Sequence, residues 1–329
     1  MQHDPPADRI LKGLTNTRLV GILIALGTVV IALSTFTDAA KNLVGLVKGE
    51  TPERARAELA GLSVPYTPQA FVERTRKGDV QAVKLFVAAG MDPNAKDDDN
   101  NTALMNAIAE HRIDVVNVLL GAKADVNEKN GGGATALDWA AARGQLDTVR
   151  LLLDKGANQN AVNEAVVAAA QAGHADIVRV LLDKGAKAHE VGARALLAAA
   201  GSTVVGAEDR NLSETVRLLL RLGVDVNAKD NEGWTALLMA ADQDRTSVAQ
   251  ALLEGGADVN ARCACPGYLS GGWTALMIAA RDGHVGMVKM LVANRADVAI
   301  RNNGGETALT VANGHPDPEI VRMLRTHGS

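Results

Sequence analysis

Cys263 and Cys265, one residue apart in "RCACPGYLSGG", are the only cysteines in a chain of 329 residues. Paired thiolates are the start of a zinc site or a redox couple, but two of them cannot close a tetrahedral metal site. His284 follows Gly283 just as His174 follows Gly173, which marks it as part of a recurring phrase rather than as a third ligand. A disulfide between cysteines this close would be strained, so the pair reads as two surface or half-buried thiols. The sequence contains no H-E-x-x-H, no G-x-x-x-x-G-K, no G-x-S-x-G and no dinucleotide fingerprint. It therefore predicts no enzyme, no small-molecule substrate, no cofactor and no resident metal.

The chemistry that remains is recognition. Of three tryptophans, two stand at the same point of a repeated phrase: Trp234 in "NEGWTALLMAA" and Trp273 in "SGGWTALMIAA". Tryptophan is enriched among binding hot spots because it buries a large area at modest entropic cost. The competing reading lays each indole flat on a neighbouring turn, where it stabilises the stack and binds nothing. With Tyr268 in the same turn as Trp273, and with Asp242, Gln243, Arg281 and Asp282 following the alanine pairs downstream, these seven residues form the candidate partner-binding set. Trp139 in "TALDWAAARG" reads as core or groove wall. Asp97, Asp98 and Asp99 read as a solvated turn, with steering of a basic partner as the alternative.

The elements that must position these residues repeat. The phrases ending at Asn94, Asn127, Asn160, Asn227 and Asn260 ("GMDPN", "KADVN", "GANQN", "GVDVN", "GADVN") keep a spacing of 33 residues wherever they are consecutive and undisturbed. Thr-Ala-Leu recurs in step at 102–104, 135–137, 235–237, 274–276 and 307–309. In the last complete unit, Leu276, Ala279 and Ala280 lie at helical spacing, and Val288, Leu291 and Val292 form the stripe of a second helix. Gly144, Gly173 and Gly283 separate the two helices and are expected to adopt positive φ. No unit can bury its apolar face alone, so units must stack.

A unit reading "GxTALxxAAxxGxxxxVxxLLxxGADVNA" resembles the ankyrin repeat. The resemblance runs from about Pro65 to the C-terminus. It implies an all-α solenoid of about eight units, with capping units at the ends, and a partner surface on the concave side built from turn tips and first helices. Two irregular places stand out. From Asn160 to Leu196 two units lack the residues of their turns, which predicts two missing protrusions and a notch. Gly201 to Ser213 adds a loop between helices, and six further residues enlarge the turn before Trp273.

Aromatic residues make up 2% of the chain and the net charge is −4. The first suits thin layers of small residues in stacked helices, and the second argues against nucleic acid as partner. Leu19 to Phe36 is 18 residues without a charge, roughly 27 Å of helix against a hydrocarbon core of about 30 Å. It is read as a transmembrane signal anchor, with a cleaved signal peptide as the alternative. The organisation expected is a short tail at 1–18, the membrane helix at 19–36, a linker with a short helix at 37–64 and the repeat domain at 65–329. Arg18 abuts the apolar run, whereas the first cation after it is Lys41; the charge rule places the N-terminus inside and the repeats outside. Anchored arrays of this kind look like bacterial envelope proteins, which implies an inner-membrane location with periplasmic repeats. Capping of an enzyme by an inhibitor or immunity factor, and a self-associating scaffold, are the other functions the sequence leaves open.

Overall fold

In the computed structural model, residues 51–264, 271–312 and 317–327 are described. The segment Leu19–Phe36 lies outside them, and no helix among the described residues is long and apolar enough to cross a membrane. The chain divides into two compact units, one made of residues up to Tyr66 together with Leu85–Met91, the other of Thr67–Lys84 and everything from Asp92 onward.

The first unit contains α1 (Pro52–Gly61), whose start follows from the Thr-Pro signal: the Arg54 amide donates to Thr51 Oγ1 at 3.3 Å, and Pro52 fills the first turn, where its missing N–H costs nothing. The helix is more than a spacer in a linker, because Ala55 and Leu59 are fully buried. Arg56 Nη2 and the Tyr66 hydroxyl both donate to the carbonyl of Ala89, at 3.1 and 2.9 Å, and Tyr66 stacks on Phe86 with ring centroids 5.7 Å apart. Together with residues 85–91, these aromatics give the small unit its own core.

The second unit opens with α2 (Pro68–Lys77), again capped by a threonine: Ala70 N–H donates to Thr67 Oγ1 at 3.2 Å. A further helix, α3 (Val80–Ala88), crosses the boundary between the units. Then come α4 (Ala103–Ala109), α5 (Ile113–Gly121), α6 (Ala136–Ala142), α7 (Leu146–Asp154), α8 (Gln159–Ala172), α9 (Ala175–Asp183), α10 (Ala188–Ala200) and α11 (Asp209–Arg221). The array ends with α12 (Ala236–Asp242), α13 (Thr246–Glu254), α14 (Ala275–Asp282), α15 (Val285–Ala293), α16 (Ala308–Ala312) and α17 (Pro318–His327). From α4 to α17 these are seven helix pairs, and α2 packs on α4 ahead of them. First helices pack on first helices in succession, and from α7 onward second helices do the same.

Small residues permit the stacking. Ala140, Ala141, Ala240, Ala241, Ala279 and Ala280 are all fully buried, so backbones meet at a distance that larger side chains would prevent. Second helices present Val149 with Leu152, Val248 with Leu252, and Val288 with Leu291, again fully buried. The tight turns between helices need glycine as expected: Gly144, Gly173 and Gly283 have φ of 70, 81 and 77°. At Gly144 a Cβ would also stand 2.7 Å from the His174 ring of the next unit.

The recurring asparagine explains the period. In four of the repeated phrases its side-chain oxygen accepts the backbone N–H of the third residue of the corresponding phrase one unit on. Asn94 accepts from Asp125 at 2.7 Å, Asn127 from Asn158 at 2.8 Å, Asn227 from Asp258 and Asn260 from Asp297 at 2.9 Å. The last step spans six more residues than the others, and the bond still forms.

Candidate partner-binding surface

Between one pair and the next the chain makes a protruding turn whose base is a short antiparallel contact. Asp97 N–H donates to Asn101 O, Asn130 to Ala134, Asp230 to Trp234 and Asn302 to Glu306, all at 2.9 to 3.0 Å. The first residue of each turn also folds the tip with its side chain. Asp230 Oδ1, for example, accepts from the amides of Glu232 and Trp234, both at 2.9 Å. Asp97, Asn130 and Asn302 repeat this arrangement. Asp97 is thus a structural acceptor and not, like Asp98 and Asp99, a solvated charge. Burial pushes its carboxyl up, but hydrogen bonds from Asn106 and Asn101 and the Arg76 guanidinium bring it below the ordinary value. After each finger a threonine caps the first helix: Thr102, Thr135, Thr235 and Thr274 accept from Met105, Asp138, Leu238 and Met277.

On this frame the backbone of Trp234 is pinned twice to Asp230 while its indole is half-buried. Trp273 differs. Its indole is 7% exposed, and the guanidinium of Arg281 lies 5.5 Å from the ring centroid. Of the two indoles, Trp273 is the more deeply buried. Cys263 takes the place that Asp or Asn holds in the other fingers: its N–H donates to Trp273 O at 3.1 Å, and its carbonyl accepts from Gly272 at 2.8 Å. Cys263 is not a free thiol, as its spacing from Cys265 implied, but is buried and disulfide-bonded. Pairing with Trp273 places this residue at the base of the finger. Cys265 and Tyr268 lie outside the described residues.

The other four candidates are drawn into one group. Arg281 Nε and Nη2 meet Asp282 at 2.6 and 2.5 Å, and Nη2 lies 3.7 Å from Asp242 across the unit boundary. Gln243 Nε2 donates to Asp242 Oδ2 at 2.7 Å. One guanidinium is therefore held between two carboxylates and an indole, each keeping part of its surface in solvent. The arrangement fixes polar donors and acceptors in place on the first-helix face, which lowers the ordering cost of a contact made there.

The fingerless region is as the spacing implies. α8 and α10 run 14 and 13 residues, the helices continuing where other units turn outward. Side chains that a finger would cover are uncovered in consequence. Met105, Leu238 and Met277 are buried, whereas their counterparts Val167 and Leu197 are half-buried. Two threonine caps are replaced by Glu164 and Arg194, which form a bidentate pair at 3.0 and 2.7 Å. The hydrogen bonds from Arg194 hold the Glu164 carboxyl below its usual range and, conversely, raise the Arg194 guanidinium. The residue-type change at the aligned cap positions was the available signal for this pair. At the C-terminal end of α6, the capping Arg143 lies 4.8 Å from the centroid of the half-buried Trp139, one turn before it. The added loop is also present, between α10 and α11. Arg245 clamps its base by donating to the carbonyls of Ser202 and Ala207, both at 3.0 Å, and leaves Val205 fully exposed.

Among the described residues no group of three or more His, Cys, Asp or Glu side chains could hold a metal ion. Stacked helix pairs, finger turns and a first-helix face define a helical repeat scaffold. The profile described as "Ankyrin repeats (3 copies)" matches residues 72–163, 168–263 and 264–329, and the chain belongs to the ankyrin-repeat family. It is 52% identical over 54 residues to the human mitochondrial disaggregase and 50% identical over 54 residues to that of Bos taurus. Both matches cover 16% of this chain and 8% of the relative. A putative ankyrin repeat protein of fowlpox virus is 44% identical over 50 residues, 15% of this chain and 12% of the relative. The chain thus spans about a tenth of the length of these curated relatives.

Proposed function

We propose that the protein is a non-catalytic binding module, held at a membrane by Leu19–Phe36, that seats a protein partner on its finger tips and first helices. Ankyrin-repeat proteins generally mediate protein–protein contacts, and the observation that favours this face is the connected group of Asp242, Gln243, Arg281 and Asp282. Trp234 contributes the apolar anchor, because its indole keeps solvent access. Trp273 acts from beneath by supporting Arg281, and Tyr268 extends the surface from the enlarged turn. The acidic net charge disfavours nucleic acid, and the scaffold needs neither cofactor nor small-molecule substrate. The charge-free segment and its flanking cations support a bacterial inner-membrane location with the repeats on the periplasmic side. Tethering would confine the search for a partner to the bilayer surface and raise its effective concentration.

The test is affinity capture from detergent-solubilised membranes with the full chain, compared with Trp234→Ala and with Asp242→Ala. A discrete protein captured by the wild type and lost from both variants is the expected result. Capture that survives both, with the fold intact, places the contact elsewhere. Removal of Leu19–Phe36 should release the chain from alkali-washed membranes, and retention there would remove the anchor from the proposal.

A further inference from the structure

One core position of the first helices carries an acid. Aligned on the threonine caps, Met105, Asp138, Leu238 and Met277 are equivalent. The three apolar residues are at most 1% exposed and Asp138 is 9% exposed. Its Oδ2 accepts from the Thr135 amide at 2.7 Å and from the Thr135 hydroxyl at 2.9 Å. Oδ1 is buried and accepts no hydrogen bond among the described residues.

The surrounding elements do not neutralise it. α4 carries no titratable side chain. On α7, Asp147 and Arg150 face each other in solvent, and Asp154 is mostly exposed and paired with Lys184. At the C-terminal end of α6, Arg143 lies over Trp139. α8 presents Glu164, a like charge whose own partner is Arg194. Lys129, in the finger ahead of α6, acts in the opposite sense, more weakly than Glu164. An ionised carboxylate at this place loses hydration on one oxygen and gains nothing for it.

We propose that Asp138 is a proton-binding site built into the array: on acidification it takes a proton on Oδ1, and the packing of α6 against α8 tightens. This does not depend on the partner-binding reading. Burial, and secondarily Glu164, hold the carboxyl above its ordinary value against the Thr135 hydrogen bonds. A value raised by folding means that the folded chain binds more protons than the unfolded one. The stabilisation is fully present below the unfolded carboxylate value and is lost as pH rises through the folded value.

Amide hydrogen exchange of the full chain between pH 7.5 and 4.5, corrected for intrinsic rates, reads this directly. Protection over residues 136–142 and 159–172 should rise on acidification, by about tenfold for each unit by which folding raises the carboxyl. In Asp138→Leu, the residue found at position 238, the rise should disappear; Asp138→Asn serves if the leucine variant does not fold. Glu164→Gln should keep the rise and move it to lower pH. A rise of the same size in the leucine or asparagine variant, or none in the wild type, overturns the proposal. So does a 13C titration of the Asp138 carboxyl with a midpoint at or below that of an ordinary aspartate.

Discussion

At the scale of the residue, Trp234 and Trp273 illustrate how one sequence phrase can hold two roles. Trp273 is almost wholly buried and carries Arg281 on its face, so Trp273→Ala should cost about 3–5 kcal/mol, the range for truncating a buried aromatic. Trp234→Ala should cost clearly less, since its indole is only half-buried, while weakening partner capture. Urea unfolding of both variants beside the capture assay separates the roles, and an equal loss of stability would refute the distinction. The cap at Thr235 is a cleaner case. Its hydroxyl oxygen accepts one helix amide, and Thr235→Ala should lower stability by about 1 kcal/mol. None of these tasks is written in residue type alone. Tryptophan ahead of Thr-Ala-Leu reads the same at both positions, yet one indole is almost wholly buried and the other half-buried.

At the scale of the element, the recurring asparagine is the joint between units. Asn227→Ala removes the acceptor of the Asp258 amide and should cost about 1 kcal/mol. Faster hydrogen exchange at Asp258 would localise the loss, and unchanged exchange would show that the joint lies elsewhere. The pair Glu164–Arg194 makes the opposite pH prediction to Asp138. Folding depresses the Glu164 carboxyl, so its stabilisation is present above the unfolded value and lost as pH falls through the folded one. Both side chains are about half exposed, so solvent screening keeps the effect small. Unfolding of Arg194→Ala compared with the wild type at pH 7 and pH 3 should show a difference that shrinks at the lower pH. The side chains that fold the fingers were not read from the sequence, where Asp97 looked like a solvated charge. The loss of fingers in α8 and α10 was legible as missing residues. The ion pair in their place was not anticipated, since it needs two helices side by side to become a pair.

At the scale of the whole molecule, each helix pair in the second unit touches mainly its neighbours in sequence. Damage should therefore stay local. Leu252→Ala in α13 removes a fully buried side chain and should cost about 2–5 kcal/mol. Hydrogen exchange should accelerate in α11 through α15 and remain unchanged in α4 through α7. Uniform acceleration across the array would mean that the units unfold as one. The sequence by itself determined the repeat, its period, the glycine turns and the two irregular places, because each of these is a local steric requirement met within one unit. Only the tertiary structure decided which tryptophan is buried, that α1 belongs to a packed unit, that Glu164 finds Arg194 and that Asp138 stands where its counterparts are apolar and buried. Those outcomes depend on what a neighbouring unit brings within a few ångströms, and a single unit's sequence carries no record of its neighbour's side chains.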